Sequence, residues 1–231
     1  MIQLKELSIG YQREILHAEN MILEVGNVYA LVGRNGIGKS TFIQTMSGLQ
    51  KQLAGEITFN GQSISGMNTK EIAETISLVD TRFEGVEYLK VKDYLALGRA
   101  PYTDLFGRLD PADWQIIQDV ACDLSIEHLL EKFSNEISDG ERQLCAVGRA
   151  FVQETPVILL DEPTAFLDYI NRKKLLELLL RLAREKSKCI VLSSHDLELC
   201  LDQSIPLLLA AQGKISLHVS LSKEEIIQAM S

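Results

Sequence analysis

Residues 33–40 read Gly-Arg-Asn-Gly-Ile-Gly-Lys-Ser, a full match to the phosphate-binding pattern G-x-x-x-x-G-K-[ST]. The apolar run Asn27-Val-Tyr-Ala-Leu-Val32 comes before it and reads as a buried strand. After it, Thr41-Phe-Ile-Gln-Thr-Met-Ser47 reads as a helix that stops near Gly48. Strand, glycine loop and helix in this order aim successive backbone N–H groups, and the positive end of a helix, at one point. The ligand such a point suits is a phosphate chain. In that arrangement Lys39 reaches the β- and γ-phosphates and the Ser40 hydroxyl coordinates Mg²⁺. The expected nucleotide contacts are Gly33, Arg34, Asn35, Gly36, Ile37, Gly38, Lys39, Ser40 and Thr41.

The rest of the composition limits the class. The chain has 231 residues, 46% apolar and 24% charged, enough for one large α/β unit. With 23 basic against 32 acidic residues the net charge is −9, which argues against a nucleic-acid binder. Lys5 and Glu6 interrupt the N-terminus before any signal-like apolar region, and no run approaches the ~20 apolar residues of a membrane span. Four cysteines (Cys122, Cys145, Cys189, Cys200) show no C-x-x-C pair, and Cys145 and Cys189 lie in apolar segments as buried thiols. A reducing, cytoplasmic compartment is expected.

Strand character dominates the first 80 residues: Ile2–Ile9, Met21–Val25 and Gly55–Phe59, with Asn60-Gly61 as a hairpin turn. From about Val91 to Phe133 the pattern turns helical, with Asp110-Pro111 opening a helix through Leu124. Strands return at Pro156–Leu160 and Cys189–Ser193, separated by an amphipathic helix over Asn171–Lys186. A hairpin around Gln212-Gly213 and a short helix capped by Ser222 and Glu225 finish the chain. The helical block therefore reads as an insert in one α/β unit.

Two further segments carry chemistry. Val157-Ile-Leu-Leu-Asp161-Glu162 is an apolar strand ending in two acids. Asp161 is placed to hold Mg²⁺ through water, and Glu162 to polarise an attacking water as general base. Leu192-Ser-Ser-His195-Asp196 ends another strand expected beside the phosphate loop, which brings the His195 imidazole toward a γ-phosphate.

Together these residues resemble the ATP-binding-cassette ATPases over about residues 3–213. Ile137-Ser-Asp-Gly-Glu141 looks like the family signature L-S-G-G-Q, and Asp161-Glu-Pro-Thr-Ala-Phe-Leu-Asp168 is similar to D-E-P-T-S-A-L-D. His195 matches the switch histidine, and Tyr11 sits where an aromatic stacks on adenine. Asp139 and Glu141 depart from the signature glycine and glutamine, and Thr81 stands where the metal-reaching glutamine of the Q-loop is usual. The resemblance implies a P-loop NTPase core (1–83 and 150–231), an N-terminal antiparallel β subdomain and a helical subdomain (84–149). It also implies a homodimer enclosing two MgATP, with Ser138 and Gly140 of one copy contacting the other copy's γ-phosphate and Asp168 contributing from the D-loop. Metal ligands are then Ser40, Asp161 and Thr81.

Leu97-Gly-Arg-Ala-Pro-Tyr-Thr-Asp-Leu-Phe-Gly-Arg108 is similar to a segment of importer ATPases for iron-siderophore, haem and cobalamin complexes. That implies a polytopic permease dimer as partner, a substrate-binding protein beyond it, and a location on the cytoplasmic face of the plasma membrane. The docking surface would lie around residues 80–110, with Arg99 and Arg108 on it. The competing reading is a soluble cassette ATPase of iron–sulfur cluster assembly, without a membrane partner.

Overall fold

The computed structural model describes residues 1–80, 88–104, 106–219 and 224–226. The Thr81 and Ser222 expectations fall outside these residues.

The N-terminal strands are β1 (Ile2–Gly10), β2 (Glu14–Ala18) and β3 (Met21–Leu23), followed by β4 (Val28–Gly33) and helix α1 (Lys39–Met46). Next come β5 (Ala54–Phe59), β6 (Gln62–Ser63), α2 (Thr69–Thr75) and β7 (Ile76–Val79). Helices α3 (Val91–Ala96), α4 (Pro111–Asp123) and α5 (Asp139–Val152) precede β8 (Val157–Leu160). The chain continues through α6 (Tyr169–Glu185), β9 (Cys189–Ser193), α7 (Leu197–Asp202), β10 (Leu207–Ala211) and β11 (Lys214–His218). Among the described residues these strands form one sheet in the order β6-β5-β1-β2-β11-β10-β4-β9-β8-β7, with β3 also on β1. Pairing is antiparallel among β1, β2, β3, β5 and β6, and parallel from β10 through β4, β9 and β8 to β7.

The parallel strands are apolar at nearly every position because both of their faces are covered; Ser77 in β7 and Ser193 at the end of β9 are the buried polar exceptions. Successive side chains alternate between faces. Val28, Ala30 and Val32 of β4 thus join Ile158, Leu192 and Leu209 against the helices α3–α6. Tyr29 and Leu31 join Phe42, Ile43 and Met46 of α1 on the other face. Burying each large apolar side chain contributes about 1.5–3 kcal/mol.

Both hairpin turns expected at Asn60-Gly61 and Gln212-Gly213 carry positive φ at both residues, the geometry that a two-residue hairpin of the right twist requires. Helix α4 begins as expected, with Asp110 and Asp113 forming a capping box around Pro111. Strand β2 and helix α2 carry weaker patterns and were not anticipated.

The largest correction concerns Arg99. It lies in a short 3₁₀ turn over Leu97–Tyr102 and is only 7% exposed. Its Nε donates to Asp113 Oδ1 at 2.7 Å, and its Nη1 donates to Val152 O at 3.0 Å and Glu154 Oε2 at 2.9 Å. Gly98 beside it packs so tightly on α5 that a Cβ would stand 2.5 Å from Arg149 O. Arg99 is therefore an internal tie between the helices, not a docking residue: its side chain is buried and its Nε and Nη1 donors are committed inside the chain. Arg108 is exposed, with its guanidinium 5.2 Å from the Phe106 ring centroid. Replacing Arg99 with alanine strands Asp113 without its cation, so R99A is expected to lower the unfolding free energy by about 3 kcal/mol or more. A urea midpoint equal to that of the parent chain would refute the tie.

Candidate active site

The phosphate loop hangs between β4 and α1. Gly38 caps the helix at φ 115°, and a Cβ there would sit 2.9 Å from Ile15 Cγ2, so only glycine lets β2 pack against the loop. No side chain caps α1, which leaves its first N–H groups for an anion. The Lys39 side chain is buried and donates from Nζ to Gly33 O (2.9 Å) and Arg34 O (3.2 Å). Burial pushes its ammonium below the ordinary value, and the neighbouring Glu162 and Asp161 carboxylates oppose that shift. A desolvated cation beside unclaimed helix N–H groups is a strong anion attractor.

The acids follow β8. Asp161 is buried, and its N–H donates to Val79 O at 2.8 Å. Glu162 adopts φ 51°, a left-handed conformation that costs a β-carbon residue about 1–2 kcal/mol. Strand β9 lies directly beside β4, and Ser193 at its end reaches both acids. Its Oγ donates to Asp161 Oδ1 at 2.5 Å and accepts from the Glu162 N–H at 2.8 Å. His195, two residues on, makes a direct Nε2–Oε1 hydrogen bond with Glu162.

These pieces meet in one cleft of about 380 Å³, lined by Asn35, Gly36, Gly38, Lys39, Ser40, Thr41, Glu162 and His195. Gly33 and Arg34 supply the carbonyls that hold Lys39, and Asp161 lies beneath, tied in by Ser193. Tyr11 is 61% exposed and lines a separate cleft with Gln12, Arg13 and Ile15; Ile15 also touches Gly38, so the two clefts adjoin. Ser138, Gly140 and Asp168 do not line the cleft. Asp168 caps α6 by accepting the Asn171 N–H at 2.8 Å. Among the described residues no group of three or more His, Cys, Asp and Glu side chains is arranged as a metal cage. The protein donors the site offers are the Ser40 hydroxyl and the Asp161 carboxylate.

At the start of α5, Ser138 and Glu141 form a reciprocal capping box. The Ser138 N–H and hydroxyl both donate to Glu141 Oε2, at 2.7 and 2.8 Å. Asp139, whose charge opposes a phosphate there, is instead turned onto Arg142 Nη1 at 2.5 Å. Two residues escaped the sequence reading. Ser193 had a faint signal, as a hydroxyl closing an otherwise apolar strand. Arg172 had none: it donates to Leu167 O (2.7 Å) and Asp196 Oδ2 (3.2 Å), joining the segment before Asp168 to the one after His195.

A parallel sheet whose strand ends gather a phosphate loop, two acids and a histidine defines an ATP-binding P-loop protein. The ABC transporter family model matches residues 16–165. An ABC transporter ATP-binding protein of Methanocaldococcus jannaschii is 40% identical over 87% of this chain and 70% of its own length. The iron(3+)-hydroxamate import ATP-binding protein FhuC of Bacillus subtilis is 35% identical over 84% of this chain and 72% of its own. An inward-facing ABC transporter described as of the metal-chelate type superimposes with a TM-score of 0.85 at 26% identity, covering 99% of this chain and 88% of that one. The chain belongs to the ABC transporter family, as an ATP-binding subunit with the cassette fold.

The capping box makes a pH-dependent contribution. Hydrogen bonds from the Ser138 N–H, and then its hydroxyl, hold the Glu141 carboxyl below its ordinary 4.5. A folded-state value below the unfolded one means the stabilisation is complete above about pH 4.5 and disappears as pH falls through the folded value. Glu141→Gln is therefore expected to be less stable than the parent at pH 7, with the gap closing as pH drops below 4.5. Urea unfolding at a series of pH values checks this, and a constant gap would count against it.

Proposed function

We propose that this chain is the ATP-hydrolysing subunit of an importer for iron chelates, with Glu162 as general base and His195 as the group that faces the γ-phosphate. The observation that carries the reading is the single cleft that sets Lys39, Ser40 and Thr41 opposite Glu162 and His195. Lys39 neutralises the β- and γ-phosphates, and the α1 N-terminus holds them in place. Glu162 then takes a proton from the water that attacks the γ-phosphorus, and His195 orients Glu162 through their shared hydrogen bond. One hydroxyl and one carboxylate, from Ser40 and Asp161, fit Mg²⁺, which keeps several waters and takes phosphate oxygens as ligands. Bound there, it would neutralise charge on the transferring phosphoryl group. Tyr11 stacks on adenine in the adjoining cleft, and Thr81 would be a further metal ligand.

The assembly we propose is a homodimer, each site completed by Ser138, Gly140 and Asp168 of the partner copy. Its core is residues 1–83 and 150–231, with 84–149 as the helical subdomain. No described helix is long and apolar enough to cross a membrane. The family's ATP-binding subunits work with membrane permeases, so we place this one at the cytoplasmic face of the plasma membrane. Similarity to import ATP-binding proteins favours this over iron–sulfur cluster assembly, and an iron chelate over cobalamin.

Two measurements check the proposal. Glu162→Gln is expected to slow ATP turnover by about a hundredfold or more while ATP affinity by calorimetry stays unchanged; turnover at the parent rate would remove Glu162 from its role. Pull-down from membranes is expected to recover a polytopic permease dimer with two copies of this chain, because two composite sites need two cassettes. Phe106→Ala or Arg108→Glu is expected to weaken that complex without touching ATP binding by the free chain. Recovery of soluble partners alone would sink the importer reading.

A further inference from the structure

We propose that Ser193 is a positioning residue for hydrolysis, setting the general base and the acid beside it through one hydroxyl. The inference rests on the roles given above to Asp161 and Glu162. Ser193 closes β9 and is 0% exposed, so no water competes for its hydroxyl. That one oxygen donates to Asp161 Oδ1 at 2.5 Å and accepts the N–H of Glu162 at 2.8 Å. It therefore ties the Asp161 side chain and the Glu162 peptide N–H to one point of β9. The first bond engages one carboxylate oxygen of Asp161 and leaves the second without a protein hydrogen bond among the described residues.

The second bond bears on Glu162. This residue is held at φ 51°, a conformation that returns to the ordinary region unless its surroundings over-determine it. Its N–H is satisfied from β9 by Ser193 alone among the described hydrogen bonds. The Glu162 C=O accepts from the Ala165 N–H, which turns the chain but does not fix the residue against β9. Removing the Ser193 hydroxyl thus frees the Glu162 peptide plane and the Asp161 carboxylate together. Among the described residues Lys39 donates its hydrogen bonds to Gly33 O and Arg34 O and not to Ser193, so phosphate binding keeps its own supports. The expected signature is a loss in the chemical step with binding intact, because a misplaced base slows reaction more than it weakens affinity.

The test compares Ser193→Ala, Ser193→Thr and Ser193→Cys in the full chain, measuring single-turnover ATP hydrolysis, ATP affinity by calorimetry and thermal melting, with E162Q alongside. S193A is expected to lose on the order of a hundredfold in rate at unchanged ATP affinity. S193T keeps the hydroxyl and is expected to recover most of the rate. S193C keeps the size but bonds weakly, and is expected to stay slow. S193A added to E162Q is expected to lose far less than S193A does in the parent, since the positioned base is already gone and only the Asp161 tie remains to be broken. Parent-like hydrolysis by S193A while E162Q is inactive would overturn the positioning role and leave the proposed function standing. An active E162Q would instead remove the base assignment, and the Ser193 role with it. Loss of ATP affinity in step with melting, without rescue by threonine, would mark Ser193 as merely structural. If S193A fails to fold, the near-isosteric S193C decides: parent-like rate in that variant refutes the proposal.

Discussion

Strand β4 runs parallel between β10 and β9, with Leu31 opposite Ser193 and Gly33 opposite Ala210. Everything chemical in this molecule depends on that register. Parallel strands share a direction, so their C-terminal ends share an edge, and the loops that leave this edge converge. The phosphate loop leaves β4 there, Asp161 and Glu162 leave β8, and His195 leaves β9. A slip of one residue along β9 would send Ser193 to the opposite face and present Leu192 or Ser194 to the acids instead. Such a slip is opposed on both sides of the sheet, because alternate residues of β9 are committed to different apolar clusters: Ile190 and Leu192 to one, Cys189 and Val191 to the other.

That two-sided commitment also lets the edge hold unfavourable features. Lys39 is a buried cation resting on neutral carbonyls, and Glu162 occupies a left-handed backbone well. Each is costly alone, and a loop without a rigid strand behind it would relax. Here the strands cannot follow. The buried lysine keeps its charge available for a phosphate chain, and the strained glutamate is held where its carboxylate meets His195.

Much of this was legible because the signals are local. The glycine loop announces itself by residue spacing, and the buried strands by uninterrupted apolar runs. The start of α4 could be read from Asp110 and Pro111, since a cap acts within three residues of itself, whereas the Asp168 cap that begins α6 at Tyr169 was not read. What stayed hidden depends on contacts across many residues. Strand β2 has the mixed sequence Glu-Ile-Leu-His-Ala, and only its pairing with β1 and β11 makes it a strand. The role of Arg172 depends on Asp196, which lies far along the chain and on another element. Asp139 departs from the signature glycine with a charge that opposes a phosphate, and Arg142, one helical turn away, holds that charge.

Arg99 shows how a motif can be recognised correctly and its physical role misread. The segment from Leu97 to Arg108 resembles importer ATPases, and an arginine in such a segment suggests a surface contact. The structure gives the first part of it an inward task. Gly98 allows the backbone to press against Arg149 O, Arg99 bonds Val152 O, and the Tyr102 hydroxyl donates to Gln153 O at 2.9 Å. All three grip the C-terminal end of α5, where helix carbonyls lack intrahelical partners and the dipole favours a cation. The same helix begins at Ser138 and, through Arg149 Nη2, bonds Leu78 O near the end of β7 at 3.1 Å. One helix of 14 residues thus joins the capped Ser138 terminus to the end of β7. The arginine's place follows from that anchoring: it is next to Gly98, whose lack of a Cβ lets the turn approach α5.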